Sequence, residues 1–165
     1  MQRRTLPDAP EHEALCRRCG ISCHLAIPVS GIPVVVPGLH CGFLRVEGGG
    51  RYGCSVYAER FERAPWCHHT AEAGPLGYLA RDCPYALASG WRAGKIVPGR
   101  RAFAEKWPLL RAEIARTGVP DWIDGDAFLR ALHGTLGEPA ATLTAWQGQP
   151  GRLRVQFGGD DDRAE

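Results

Sequence analysis

No apolar run in this 165-residue chain approaches the roughly 20 residues a bilayer-crossing helix needs. Residues 1–15 carry basic side chains with no apolar stretch behind them, so the opening lacks the pattern of a secretory leader. Together these absences predict a cytoplasmic protein with no membrane association. There is no G-x-G-x-x-G, no phosphate-cradling P-loop and no paired-carboxylate signature. The glycines Gly48 to Gly50 precede a strand pattern, so no helix N-terminus would follow them to hold a phosphate. No internal repeat is present, which sets aside solenoids and arrays. Lysine is almost absent: of 20 basic residues only Lys95 and Lys106 are lysines. An excess of arginine this general is weak ground for phosphate recognition.

What the chain does have is cysteine, at positions 16, 19, 23, 41, 54, 67 and 83, all in its first half. In a reducing compartment an odd number of thiols reads as ligands or reactive groups rather than as a disulfide framework. Thiolates are soft anionic donors, and several converging on one point bind zinc or iron strongly; without an ion they would repel. The charge pattern agrees. Residues 1–101 hold 13 basic against 8 acidic residues, a net +5, whereas residues 102–165 hold 7 against 10, a net −3. Arg17, Arg18, Arg51, Arg60, Arg63 and Arg81 lie near the cysteines in sequence, where they would offset the negative charge of a thiolate–metal centre. The alternative is a zinc-stapled nucleic-acid binder, for which a sequence pI of about 8.2 falls short of a strongly basic footprint.

The organisation predicted is an α+β protein in four parts: a flexible lead-in over 1–11, a cysteine-cluster metal-binding domain over 12–98, a helical and hairpin extension over 99–158, and an acidic tail over 159–165. A short helix is expected from Glu11 to Arg18. The apolar segment 27–39 is broken by Pro28, Pro33 and Pro37 and reads as an extended edge piece, a lid over the metal site. Residues 42–57 read as two short strands around Gly48 to Gly50, with Cys41 on one limb and Cys54 on the other. One or two helical turns follow, up to Pro65, and 70–98 reads as a wrapped loop. Phe103, Trp107, Leu110 and Ile114 mark a helix over 101–117, with Pro108 in a first turn or at a kink. A second helix starts at Asp124 or Asp126 and stops near Gly134, and the alternation in 142–146 and 152–157 predicts a hairpin.

The chemistry is read from the cysteine spacings. Cys16 and Cys19, two residues apart and followed by Gly20, form a metal knuckle: both sulfurs can face one ion, and the glycine lets the backbone turn its N–H groups toward sulfur. A thioredoxin-like redox pair would need a strand and then a helix around it, a context the preceding residues do not offer. Cys23, Cys41, Cys54, Cys67 and Cys83 extend the donor set. Seven thiols with one histidine could build two closed tetrahedral sites, the eighth group coming from His68, His69, His24 or His40. Iron–sulfur ligation is the rival: the opening C-x2-C-x3-C is not the ferredoxin run, but Cys83-Pro84 matches the proline-followed distal cysteine of cluster proteins. Isolated His12 and His133 read as surface or packing residues. A Cys67 nucleophile served by His68 or His69 is disfavoured, because neighbours in sequence rarely reach the required hydrogen bond. No catalytic residue is assigned.

Residues 16–67 resemble the YkgJ-type bacterial family of zinc- or iron-chelating cysteine-cluster proteins. The elements C-x-x-C-G-x-C-C, C-x-F-L and C-x-[IV]-Y-x-x-R of that family correspond to CRRCGISC, to Cys41-Gly42-Phe43-Leu44, and to Cys54-Ser55-Val56-Tyr57-Ala58-Glu59-Arg60. Ser22 stands where the family has the first cysteine of its C-C pair. His68 and His69 occupy the region where it has an arginine and a further cysteine. The resemblance implies a zinc or iron ion held by the cysteines; His68 and His69, which adjoin Cys67 in sequence, join the candidate ligands on that adjacency.

The expectation is therefore a small irregular cysteine-rich, metal-stapled domain with short hairpins, followed by two helices and a C-terminal β-hairpin. Its metal would be zinc or iron, an iron–sulfur cluster included, and mainly structural. The expected role is interaction with a protein partner. The alternatives are a redox or modification activity on iron, for which the Ser22 replacement would supply an open coordination position, and nucleic-acid binding.

Overall fold

A computed structural model describes residues 15–88 and 94–159. The lead-in, the start of the helix expected over 11–18 and nearly all of the acidic tail lie outside the described residues. Strands β1 (His24–Val29) and β2 (Ile32–His40) form an antiparallel hairpin. Its two-residue turn places Ser30 at φ 50° and Gly31 at φ 79°, the backbone that matches the right-handed twist of the flanking strands. Strands β3 (Leu44–Gly48) and β4 (Arg51–Cys54) make a second hairpin around the predicted glycine turn. A 3-10 turn over Tyr57–Glu59 leads into α1 (Arg60–Arg63), and α2 (Thr70–Ala73) and α3 (Pro84–Ala88) punctuate the segment before the long helix α4 (Arg100–Thr117). Strand β5 (Val119–Pro120), helix α5 (Gly125–Arg130), a π-helical turn over Ala131–Thr135 and strands β6 (Thr142–Ala145) and β7 (Arg152–Gln156) complete the chain. The last sheet is antiparallel in the order β5-β7-β6. The architecture is an α+β mixture with small sheets.

The main core joins the two halves. Val34, Val36 and Leu39 of β2 pack with Leu110 and Ile114 of α4, Phe128 of α5 and Val155 of β7, the first six of them fully shielded from solvent. The proline-broken segment is thus extended as expected, but it forms a core hairpin rather than an edge piece. Pro28 and Pro33 face each other in the ladder, and in a two-stranded sheet each strand keeps an outer edge on which a missing N–H breaks no pairing. The long run of β-branched residues reports burial.

Other local expectations are corrected for similarly local reasons. Residues 15–18 are not helical, and Arg18 has φ 55°, which ends any helix there. Pro108 sits well inside α4 rather than in its first turn; it is exposed, so the carbonyl left unpaired one turn back faces water. The expected loop over 70–98 contains α2 and α3, each too short to show periodicity. Asp124, one of the two predicted starts, caps α5 by accepting a hydrogen bond from the Ala127 N–H at 2.9 Å, and Asp126 falls in the first turn. Gly38 lets β2 lie flush on the start of the π turn. It has φ 75°, and a β-carbon there would stand 2.5 Å from that of Ala131 and 2.7 Å from the Ala127 carbonyl oxygen.

Candidate functional site

Beside the core, the two hairpins and the segment 60–78 enclose a largely apolar cavity of about 630 Å³, on whose wall stand Cys23, Cys41, Cys54 and Cys67. Each is delivered by a different element. Cys23 closes a 3-10 turn, Ile21–Cys23, entered through Gly20 at φ 71°. Cys41 follows β2, tied by its N–H to the Cys23 carbonyl at 2.9 Å and bridged to Ile123 in the loop before α5. Cys54 ends β4 opposite Leu44. Cys67 follows α1, its N–H bonded to the Ala64 carbonyl at 2.8 Å. Cys41 therefore lies just before the β3 limb of the second hairpin.

Two N–H groups donate to the Cys41 sulfur: the backbone amide of Phe43 at 3.4 Å and the indole Nε1 of Trp66 at 3.4 Å. The sequence places the turning of N–H groups after Cys19, at Gly20; the backbone amide that donates to sulfur here is at Cys41-Gly42-Phe43, a different element. Trp66 is held by stacking between Trp122, with centroids 5.0 Å apart and planes 5° from parallel, and Phe43, at 6.2 Å and 3°. The anchor on Trp122 comes from the C-terminal half of the chain, a contribution the cysteine spacings do not announce.

The thiols feel one another. Burial pushes Cys23 up to about 11, and negative charge on Cys41, Cys67 or Cys54 adds to that, with a hydrogen bond from Ser22 opposing. Burial also raises Cys67, against the opposing charge of Arg60. His24 is held below its ordinary value first by burial, and then by the neighbouring His40 and Lys95 charges, although its ring hydrogen bond to the Gly20 carbonyl opposes them. That bond, from His24 Nδ1–H at 2.8 Å, leaves Nε2 of the neutral ring with a free lone pair. His24 and His40 face each other across β1 and β2 with ring centroids 5.2 Å apart.

Lys95 shares the same wall and is 7% exposed, the buried charged side chain among the described residues. Its ammonium donates to the carbonyls of Ile21 at 3.2 Å, Ser22 at 3.1 Å and His24 at 2.5 Å. Burial lowers it to about 8, with the nearby Cys23 opposing. Nothing in the sequence marked this residue beyond the rarity of lysine.

Cys16, Cys19 and Cys83 are not on the cavity wall. They belong to a second, outer neighbourhood, where Arg17 makes a two-pronged ion pair with Asp82 at 2.6 and 3.0 Å and also hydrogen-bonds Cys19. Arg18 pairs with Glu47, so this strip is pinned on both sides. His68 lines the cavity, 3.5 Å from Glu72 and with its ring 5.2 Å from that of Tyr78, while His69 packs on Phe61 at 4.0 Å. All seven cysteines are free thiols. Among the described residues no group of three or more His, Cys, Asp or Glu side chains is arranged so as to hold a metal ion. The inner four share a cavity without being closed on a point. Among those residues, too, no helix is long and apolar enough to cross a membrane.

Comparison with protein-family models, with curated proteins and with solved structures returns no match to this chain.

Proposed function

We propose that this chain is a metal-binding protein in which Cys23, Cys41, Cys54 and Cys67 chelate a zinc or iron centre, in the manner of the YkgJ-type family it resembles. The observation that carries the reading is the meeting of four thiols, from four separate elements, on one cavity wall, with two N–H donors aimed at the Cys41 sulfur. The donor set fits in kind and number: four soft sulfurs suit a tetrahedral zinc, a single iron or a small iron–sulfur cluster. Protonated thiols have no reason to draw together, whereas an ion that displaces their protons would pull the sulfurs onto itself. Bound there, a metal would cross-link both hairpins and the segment after α1. Four protein thiolates would leave no open coordination position, which favours a structural role and a surface that serves a protein partner.

The test begins with protein purified under reducing, oxygen-free conditions without added metal, then titrated with Co²⁺ while thiolate-to-cobalt absorption is followed. Expected is one centre per chain, lost in Cys23→Ser and Cys67→Ser and kept in Cys83→Ser. Colourless protein carrying zinc supports the structural role. Brown or red protein carrying iron moves the assignment to redox work on the same cysteines. Failure to bind any metal stoichiometrically, or equal binding by Cys23→Ser and the parent, sinks the proposal.

A further inference from the structure

Lys95 is an ammonium ion placed almost out of reach of water, and its three hydrogen bonds all go to neutral carbonyls, those of Ile21, Ser22 and His24. No carboxylate pairs with it among the described residues. Hydrogen bonds to carbonyls satisfy its donors and the Tyr78 ring, 5.8 Å from Nζ, gives weak cation–π support, but no anion balances the charge, and a buried charge without a counter-ion is costly. A neutral donor would tie the turn at 21–24 as well. The charge is what needs an explanation, and the wall it shares carries the thiols Cys23, Cys41, Cys54 and Cys67, with Arg60 as a second cation acting on Cys67.

We infer that Lys95 is the built-in counter-cation of the thiolate centre and the positioning residue of its Cys23 ligand. The inference rests on the metal-binding reading above. Four thiolates around a divalent ion carry a net charge of −2 in a mostly apolar cavity, and a fixed ammonium on the wall lowers the cost of assembling that anion. The three carbonyls it grips flank Cys23 on both sides, so the same side chain sets the turn from which that sulfur projects. Lys95 is itself held firmly. Its own N–H bonds the Leu79 carbonyl at 2.8 Å and its carbonyl accepts from Arg81 N–H at 2.9 Å, while Ile96 N–H bonds the Pro33 carbonyl at 2.9 Å.

The scarcity of lysine makes the test direct, because the full chain holds Lys95 and Lys106 alone. Zn²⁺ affinity is measured by competition with a chromophoric chelator for the reduced parent, Lys95→Arg, which keeps the charge, and Lys95→Gln, which keeps donors without it. In parallel, the parent labelled with ¹⁵N-lysine is followed by NMR as Zn²⁺ is added. We expect Lys95→Gln to bind at least about tenfold more weakly and Lys95→Arg to stay within about threefold. The Lys95 ammonium resonance should shift on loading while that of Lys106, on α4, stays. A folded Lys95→Gln protein that binds as tightly as the parent overturns the inference, as does an Arg variant as weak as the Gln variant, or a Lys95 resonance that does not move. Should Lys95→Gln fail to fold, the resonance decides. A parent that binds no Zn²⁺ is a different result: the metal-binding reading then fails first and takes this inference with it.

Discussion

Metal-free protein should gain stability from pH 8 to 9 and gain none beyond, because buried groups on one cavity wall titrate in opposite senses. Lys95 has its pKa lowered from 10.5 to about 8. Below pH 8 it is charged in both states and the folded protein bears the cost of burying the ammonium. Between pH 8 and 10.5 the unfolded chain holds the extra proton, so stability rises with pH through that window. Cys23 is displaced the other way, from 9.0 to about 11. Below pH 9 it is neutral in both states; between pH 9 and 11 the folded protein holds the extra proton, and stability falls by about 3 kcal/mol at 1.36 kcal/mol per unit. Cys67, raised in the same direction, steepens that fall. The net profile rises by at most about 1 kcal/mol from pH 8 to 9; from pH 9 to 10.5 the Lys95 gain and the Cys23 loss cancel at about 1.4 kcal/mol per unit each, so the turnover there is set by Cys67, and the Cys23 loss is felt in full only above pH 10.5. Urea unfolding of reduced protein with a chelator present, in half-unit steps from pH 7 to 10.5, would trace it. The Lys95→Met protein should lose the rising limb and Cys23→Ala should soften the descent. A parent curve that declines steadily from pH 7, or a rising limb that survives in Lys95→Met, would refute the assignment of these burials.

Two further outcomes test the scaffold that carries the site. Gly38→Ala adds a β-carbon against backbone at a positive φ and should cost about 2–4 kcal/mol, seen as a large drop in melting temperature, whereas Gly49→Ala, at φ 59° with open space around it, should cost about 1 kcal/mol. Glu138→Ala removes the acceptor shared by Trp107 Nε1 at 3.1 Å and Arg111 Nε at 2.9 Å; leaving both half-buried donors without it should cost about 2 kcal/mol in urea unfolding.

Legibility of the fold varied with how local each signal was. The glycine turn at 48–50, the Asp124 cap, the helix over 101–117 and the C-terminal hairpin are written in neighbouring residues, and the structure has each of them. Strand β5 was not visible, since two residues carry no alternation and it exists only because β7 lies beside it. The segment 27–39 shows the converse error: its prolines were weighed as breakers, while its apolar run, once paired as a hairpin, was the signal of the core. In the site, cysteine identity was readable but grouping was not. The spacing of Cys16 and Cys19 reads as a knuckle with Cys23 as a further donor of the same set, yet the αL backbone at Gly20 and the 3-10 turn after it carry Cys23 to the cavity, while Cys16 and Cys19 stay off its wall, next to the Arg17 that pairs with Asp82. Lys95, 72 residues beyond Cys23, carries no local pattern at all; only its burial and its hydrogen bonds to the Cys23 turn reveal it.

The division of the cysteines has a physical logic that ties the site to the whole chain. A thiol set can be held ready for an ion only if its members are kept near one another without the ion, and mutual repulsion of partly ionised sulfurs works against that. Here the restraint comes from outside the cysteine-rich segment. Cys41 is bridged to Ile123, Gly42 N–H donates to the Trp122 carbonyl at 3.1 Å, and Trp122 in turn stacks on the tryptophan that donates to the Cys41 sulfur. Ile123 belongs to the same core as Leu110, Ile114 and Phe128. The helical part is therefore the frame against which the thiols are set. On this reasoning a fragment ending before α4 would keep every cysteine and lose the cavity, and it would bind metal, if at all, only by folding around it.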